Sequence, residues 1–122
     1  MANPVNWFMI PVKDMERGKK FYEAVIDDEL NRSEMGQMKM AWFPMTNGAP
    51  GAAGALIKGE GYMPSHAGTM VYLHVRDIDD TMSRVKLHGG RVLLPKTRMG
   101  EYGFIAHFED TEGNRVALHS YS

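Results

Sequence analysis

The chain has 122 residues, room for one compact domain with a real core and little else. Fourteen basic residues against fifteen acidic ones, with no lysine- or arginine-rich block, lack the electrostatic footprint of a nucleic-acid binder, so a small organic molecule or another protein is the expected partner. The lack of cysteine excludes disulfides, thiolate metal sites and a cysteine nucleophile, and no apolar run approaches a membrane span; a soluble, cytoplasmic protein is expected.

In chain order, Val5 to Val12 reads as a strand with Phe8, Ile10 and Val12 on one face and Trp7, Met9 and Pro11 on the other. Met15 to Ile26 carries an apolar stripe of Met15, Phe21, Tyr22, Val25 and Ile26 amid charged residues, the pattern of an amphipathic helix with Asp14 as its N-cap. Strands are predicted over Asn31 to Met35, Gln37 to Met45 and Ala53 to Lys58. A second series follows Gly59-Glu60-Gly61: a strand Thr69 to Val75, a helix from about Ile78 to His88 behind Asp77, a strand near Val92, then Phe104 to Glu109 and Arg115 to Ser120. The last two flank Asp110-Thr111-Glu112-Gly113-Asn114, a turn-forming cluster, and read as a hairpin pairing Glu109 with Arg115, His107 with Ala117 and Ile105 with His119. That register gathers Phe104, Ala106, Phe108, Val116 and Leu118 on one wholly apolar face, and a one-residue slip would mix the two sets.

The two halves repeat. Asp14 and Asp77 close their strands at one constant offset, which pairs Trp7 with Met70, Ile10 with Leu73 and Val12 with Val75, while Ala55-Leu56 matches Ala117-Leu118. The expected fold class is α+β: two β-α-β-β-β units, over 1–60 and 67–122 of a single 1–122 domain, with mainly antiparallel sheets forming an open cup or barrel and the helices outside. Alternation places Trp7, Met9, Met70, Tyr72, His74, Ile105, His107, Ala117 and His119 on the cup face. Those side chains either line a cavity, pack dry between the sheets or enter a subunit interface; three histidines are too polar for a dry core and favour the cavity. Edge strands and a methionine-rich surface predict a homodimer.

Strand-Asp-helix with Phe21-Tyr22-Glu23, repeated once and closing on Asp110-Thr111-Glu112-Gly113-Asn114, resembles the vicinal oxygen chelate superfamily, the glyoxalase/bleomycin-resistance/extradiol-dioxygenase fold, over nearly the whole chain. The resemblance implies a fold that hosts lyases, isomerases, thiol transferases, dioxygenases and drug-binding proteins. It also implies where a metal would sit in the metal-dependent members, on the first and last strand of each unit; here those places are Trp7, Ala55, Met70 and Ala117. None of the four can hold a hard or borderline divalent ion through its side chain, so no cofactor is expected, a divalent metal remaining open only through other residues.

The chemistry left to the cup is that of His74, His107 and His119, which can bind a ligand, exchange protons with it, hold a different metal or serve only local hydrogen bonds. His66 falls in a polar linker and His88 at a helix end, where the helix dipole suits it. Lys96, Arg98, Glu101 and Tyr102, between Pro95 and Gly103, are expected in a solvated loop or a flap at the rim. Gly48, Gly51 and Gly54 form neither a dinucleotide fingerprint nor a P-loop, and Ser65 and Ser120 have no legible triad partners. The expected function is metal-free binding of a small molecule through Trp7, Met9, Met70, Tyr72, His74, Ile105, His107 and His119, in the manner of the bleomycin-resistance branch. The alternatives are a glyoxalase-like lyase or isomerase using the histidines, and a protein-interaction module.

Overall fold

A computed structural model describes residues 3–122; the first two residues of the expected first unit lie outside the described residues. The chain runs β1 (Trp7–Pro11), α1 (Met15–Ile26), β2 (Asn31–Met35), β3 (Met38–Trp42), β4 (Ala53–Lys58), then β5 (Tyr72–His74), α2 (Ile78–Leu87), β6 (Arg91–Arg98), β7 (Phe104–Glu109) and β8 (Arg115–Ser120). Two four-stranded sheets result, ordered β1-β4-β3-β2 and β5-β8-β7-β6, the same arrangement in each half. In each sheet the first and last strands of the unit pair in parallel and the other neighbours are antiparallel. The β7–β8 hairpin takes the predicted register, with Glu109 opposite Arg115 and Ile105 opposite His119.

Local chemistry sets the helix ends. Asp14 and Asp77 sit in extended conformation and their carboxylates accept from the amides of Arg17 and Asp80 at 3.1 and 3.3 Å, satisfying donors that the first turn leaves orphaned. Helix α1 stops at Asp27, whose left-handed backbone (φ 55°) suits a short polar side chain. The last carbonyls of α1, on Ala24 and Val25, accept from the Arg84 guanidinium of α2 at 2.8 and 3.3 Å. The two helices therefore lie side by side on one face of the molecule, and their apolar stripes share one core: Phe21, Tyr22 and Val25 of α1 and Ile78, Met82 and Val85 of α2 pack with Ile10, Leu56, Phe108 and Leu118 from the sheets.

The turn between β7 and β8 pins the halves together. Buried Asp110 accepts from the Tyr22 hydroxyl at 2.6 Å, from the amides of Glu112 and Asn114, and from the Asn114 side chain. Asn114 donates a second hydrogen bond to the Pro11 carbonyl at the end of β1, and its side-chain oxygen takes the Ser65 amide of the linker. Glu112 accepts from the amides of Lys13 and Asp14, from the Thr111 hydroxyl and from the Arg17 guanidinium. Asp110, Glu112 and Asn114 of this polar turn thus hold the first unit to the second, while Thr111 bonds Glu112 within the turn.

Four strand spans differ from expectation: β1 and β3 are trimmed at their ends, from Val5–Val12 to Trp7–Pro11 and from Gln37–Met45 to Met38–Trp42, and β5 and β6 change as well. Strand β5 is shorter than Thr69–Val75 because beyond its three paired residues only Val71 and Val75 reach β8, each through a single backbone bond. Strand β6 is longer and takes in Lys96 and Arg98, which therefore do not belong to a rim loop. It is an edge strand with register shifts on either side of Leu94, so it tolerates Pro95, whose missing N–H would break a central strand. Lys96 lies over the Phe104 ring, 4.6 Å from its centroid, and reaches Asp79 of α2 at 3.7 Å. Only Glu101 and Tyr102 of that group form the crossing, as a single turn at Gly100–Tyr102.

Candidate functional site

With both helices on one face, alternation turns the other set of strand residues toward the helix-free side. In the first sheet this set includes Trp7 and Met9, Ala55, and Met40 and Trp42; in the second it includes Tyr72 and His74, Arg115, Ala117 and His119, and Ile105 and His107. The repeat gives each sheet an equivalent transverse row: Met9, Ala55, Trp42 in one and Tyr72, Ala117, His107 in the other. Both alanines are fully buried and form the floor of the row. Trp7 meets Trp42 edge to face with centroids 5.0 Å apart, and Tyr72 meets His107 edge to face at 6.1 Å.

Strands β1 and β5 are the facing edges of the two sheets, and between them lies a cleft of about 780 Å³. Five of the eight predicted ligand-binding residues, Trp7, Met9, Met70, Tyr72 and His74, line it, joined by Phe8, Ile26, Phe43, Pro44 and the 50–53 loop. No aspartate, glutamate, lysine or arginine is among the lining residues, and His74 is the one titratable imidazole there. Ile105, His107 and His119 stand on the second sheet outside this lining. A shallower hollow near Lys19, Glu23 and Asp27 to Leu30 touches none of the predicted residues.

The three histidines divide into a pair and a single. His74 and His119 are cross-strand neighbours on β5 and β8 with their Nδ1 atoms 3.1 Å apart, and Tyr121 packs on both rings. His119 Nε2 lies 2.7 Å from the Tyr102 carbonyl oxygen, which only accepts, so that nitrogen carries the hydrogen. His107 stands in the adjacent row. Its Nδ1 accepts from Arg115 Nε at 3.1 Å, which leaves the hydrogen on Nε2, a buried atom with no partner among the described residues. Burial and then the Arg115 charge push the His107 pKa below the ordinary imidazole value, so it stays a neutral N–H donor. Trp42 Nε1, at the equivalent place in the other row, is likewise buried and unpartnered.

Trp42 was within reach of the sequence: alternation along β3 puts it in phase with Met38 and Met40. Ile26, Phe43 and the prolines come to the cleft through the seam between sheets, which no strand pattern encodes, and the packing of Tyr121 on the histidine pair likewise had no local signal. At Trp7, Ala55, Met70 and Ala117 the donor set is an indole, a thioether and two methyl groups, which does not fit a divalent metal. Among the described residues no group of three or more His, Cys, Asp or Glu side chains stands together to hold one elsewhere.

The sequence profile of the Glyoxalase/Bleomycin resistance protein/Dioxygenase superfamily matches residues 5–118. No curated protein matches the chain significantly. Among solved structures, a glyoxalase/bleomycin resistance protein from Albidiferax ferrireducens T118 superposes with a TM-score of 0.74 at 15% identity, covering 98% of this chain and 100% of that one. A glyoxylase/bleomycin resistance protein/dioxygenase domain from Frankia sp. EAN1pec gives 0.74 at 15% identity with 100% of both chains covered. Glyoxalase I from Zea mays gives 0.71 at 22% identity over 97% of this chain and 46% of its own, so the present chain spans about half the length of that enzyme.

Proposed function

The chain belongs to the glyoxalase/bleomycin resistance protein/dioxygenase superfamily, and from that premise we propose that it is a metal-free small-molecule-binding member whose ligand lies in the cleft between β1 and β5. One observation carries this reading: the cleft walls are Trp7, Met9, Met70 and Tyr72, with no charged side chain, and Trp7 and Met70 fall at two of the places where the family resemblance implies metal ligands. A wall of that kind supplies contact area to a flat, partly apolar molecule, and the few polar groups at its edge fix orientation. A lyase or isomerase running through a metal has no support in these residues. The exposed Met9 and Tyr72 also support a homodimer in which a second copy covers part of the helix-free face. The lack of cysteine is consistent with a cytoplasmic setting.

A thermal-shift screen tests the reading, because a ligand specific for the folded state raises Tm by mass action. Small planar organic compounds should stabilise the protein, and Zn, Ni, Mn or Fe salts alone should not. Stabilisation by a metal alone, with stoichiometric retention after dialysis, would overturn it.

A further inference from the structure

We infer that the cleft selects an uncharged, mainly apolar ligand bearing one hydrogen-bond donor, O–H or N–H, which it delivers to Nε2 of His74, with His119 as the positioning residue. The inference rests on the reading of the cleft as a small-molecule site and adds the class of ligand.

The hydrogen placements follow from the contacts alone. The Tyr102 carbonyl can only accept, so His119 holds its hydrogen on Nε2, and in the neutral ring Nδ1 is then a lone pair. The 3.1 Å contact between the two Nδ1 atoms is a hydrogen bond only if His74 supplies the hydrogen from its own Nδ1. Neutral His74 therefore keeps its lone pair on Nε2, the ring nitrogen that makes no hydrogen bond among the described residues. The Tyr121 ring, 5.4 and 4.7 Å from the two imidazole centroids, braces both in place. A carbonyl thus dictates the tautomer of one histidine, which dictates that of the next, and the chain ends in an acceptor on His74, a residue that lines the cleft and also borders the neighbouring hollow of Arg76, Asp77 and Arg84.

The wall settles what that acceptor can receive. Thr69 and Tyr72 offer hydroxyls that both donate and accept, and Trp7 offers an N–H; His74 is the one side chain of the lining that, when neutral, is a strong acceptor and cannot donate from its free nitrogen. An anion would meet a lone pair and no positive side chain in the lining, at the cost of its hydration. A ligand without a donor would leave Nε2 unpaired where water is displaced.

Isothermal titration calorimetry on the full chain at about pH 8, above the ordinary imidazole range, with β-naphthol, its methyl ether and naphthalene carboxylate as probes, tests this. The naphthol should bind about tenfold or more tighter than the ether, the order expected for one hydrogen bond at a partly desolvated site, and the carboxylate should be weakest. His74→Phe should bring the naphthol down to the ether's affinity. His119→Phe should shrink the preference without changing the ether, because it frees the His74 tautomer. Independently of any ligand, long-range ¹H–¹⁵N spectra should find His74 with its hydrogen on Nδ1 and His119 with its hydrogen on Nε2. The opposite tautomers, equal affinity for naphthol and ether, or a preference that survives His74→Phe would overturn the inference while leaving the cleft as a binding site. If none of the three probes binds, the cleft reading falls and this inference with it.

Discussion

The Glu112 carboxylate, in the turn between β7 and β8, accepts the backbone amide of Asp14 at 2.7 Å and so holds the start of α1 from the opposite half of the molecule. The same group takes the Lys13 amide and the Arg17 guanidinium; its side chain is fully buried, while that of Arg17 is half exposed. An ion pair open to water on one side is worth little, whereas Gln in place of Glu112 leaves the two backbone amides a neutral oxygen without charge assistance and sets an N–H donor against the Arg17 guanidinium. Glu112→Gln should therefore destabilise the fold by about 2 kcal/mol, and Arg17→Ala by less than about 1 kcal/mol, in urea titrations.

Stability should fall in two steps as pH is lowered. Burial pushes the Glu112 carboxyl up, but Arg17, the two amides and Thr111 outweigh it and hold it below the ordinary range; Arg91, against some burial, does the same for Glu109 with help from His66. A carboxyl with a depressed folded pKa binds fewer protons folded than unfolded, so its stabilisation is present above the unfolded value of about 4.3 and is lost as pH falls through the folded one. His107 is depressed as well, and its contribution begins to fall at about pH 6.5, where the unfolded imidazole protonates. Unfolding free energy measured from pH 7.5 to 3 should decline first in the histidine window and again in the carboxylate window. His107→Phe should remove the first decline and Glu112→Gln should weaken the second; a single decline below pH 4.5 would contradict the placement of His107.

The succession of elements along the chain, both helices and the hairpin register were legible because each rests on local chemistry: a stripe at helical spacing, an Asp before it, a turn cluster between alternating runs. The family signature Asp110-Thr111-Glu112-Gly113-Asn114 was legible as a turn, but its tie to Tyr22, Pro11 and Asp14 was not, since contacts between distant positions leave no periodic trace. The site divides in the same way. Alternation put His74, His107 and His119 on one face, yet only the neighbouring of β5 and β8 pairs the first with the third and leaves His107 to Arg115. Lys96 and Arg98 were misplaced because Pro95 argues against a strand, and an edge strand with bulges accepts it.

Gly54 is the residue on which the first sheet closes. A Cβ there would stand 2.5 Å from the Phe8 carbonyl oxygen and from its ring carbons, and the backbone oxygen, held in the β1–β4 ladder, cannot move aside as a flexible side chain would. Gly54→Ala should destabilise by on the order of 2 to 3 kcal/mol through overpacking and shift the Trp emission. A neutral Gly54→Ala would mean that β1 and β4 are not paired as described.

Metal analysis should find no stoichiometric Zn, Ni, Mn or Fe in protein dialysed against buffer, given an indole, a thioether and two methyl groups at Trp7, Met70, Ala55 and Ala117. Added chelator should leave Tm unchanged. A Tm that drops on chelation would point to ligands other than these four.

The only two tryptophans of the chain, Trp7 and Trp42, touch each other on the helix-free face. Intrinsic fluorescence should therefore report a ligand in the cleft without any label. Trp7 lines the cleft and lies outside the main core cluster, so Trp7→Ala should weaken an aromatic ligand about tenfold or more at every pH while costing the fold less than a core truncation such as Phe108→Ala, roughly 3 to 5 kcal/mol. Trp42 is not among the cleft's lining residues, and its Nε1 is buried without a partner among the described residues. Trp42→Phe removes that unsatisfied donor along with some packing, so the two effects oppose and stability should change by less than about 1 kcal/mol. The variant keeps Trp7 as sole reporter, and its emission should still respond to ligand with near wild-type affinity. If Trp42→Phe abolishes binding while Trp7→Ala leaves it intact, the ligand sits over the β3 side of the first sheet and not between β1 and β5.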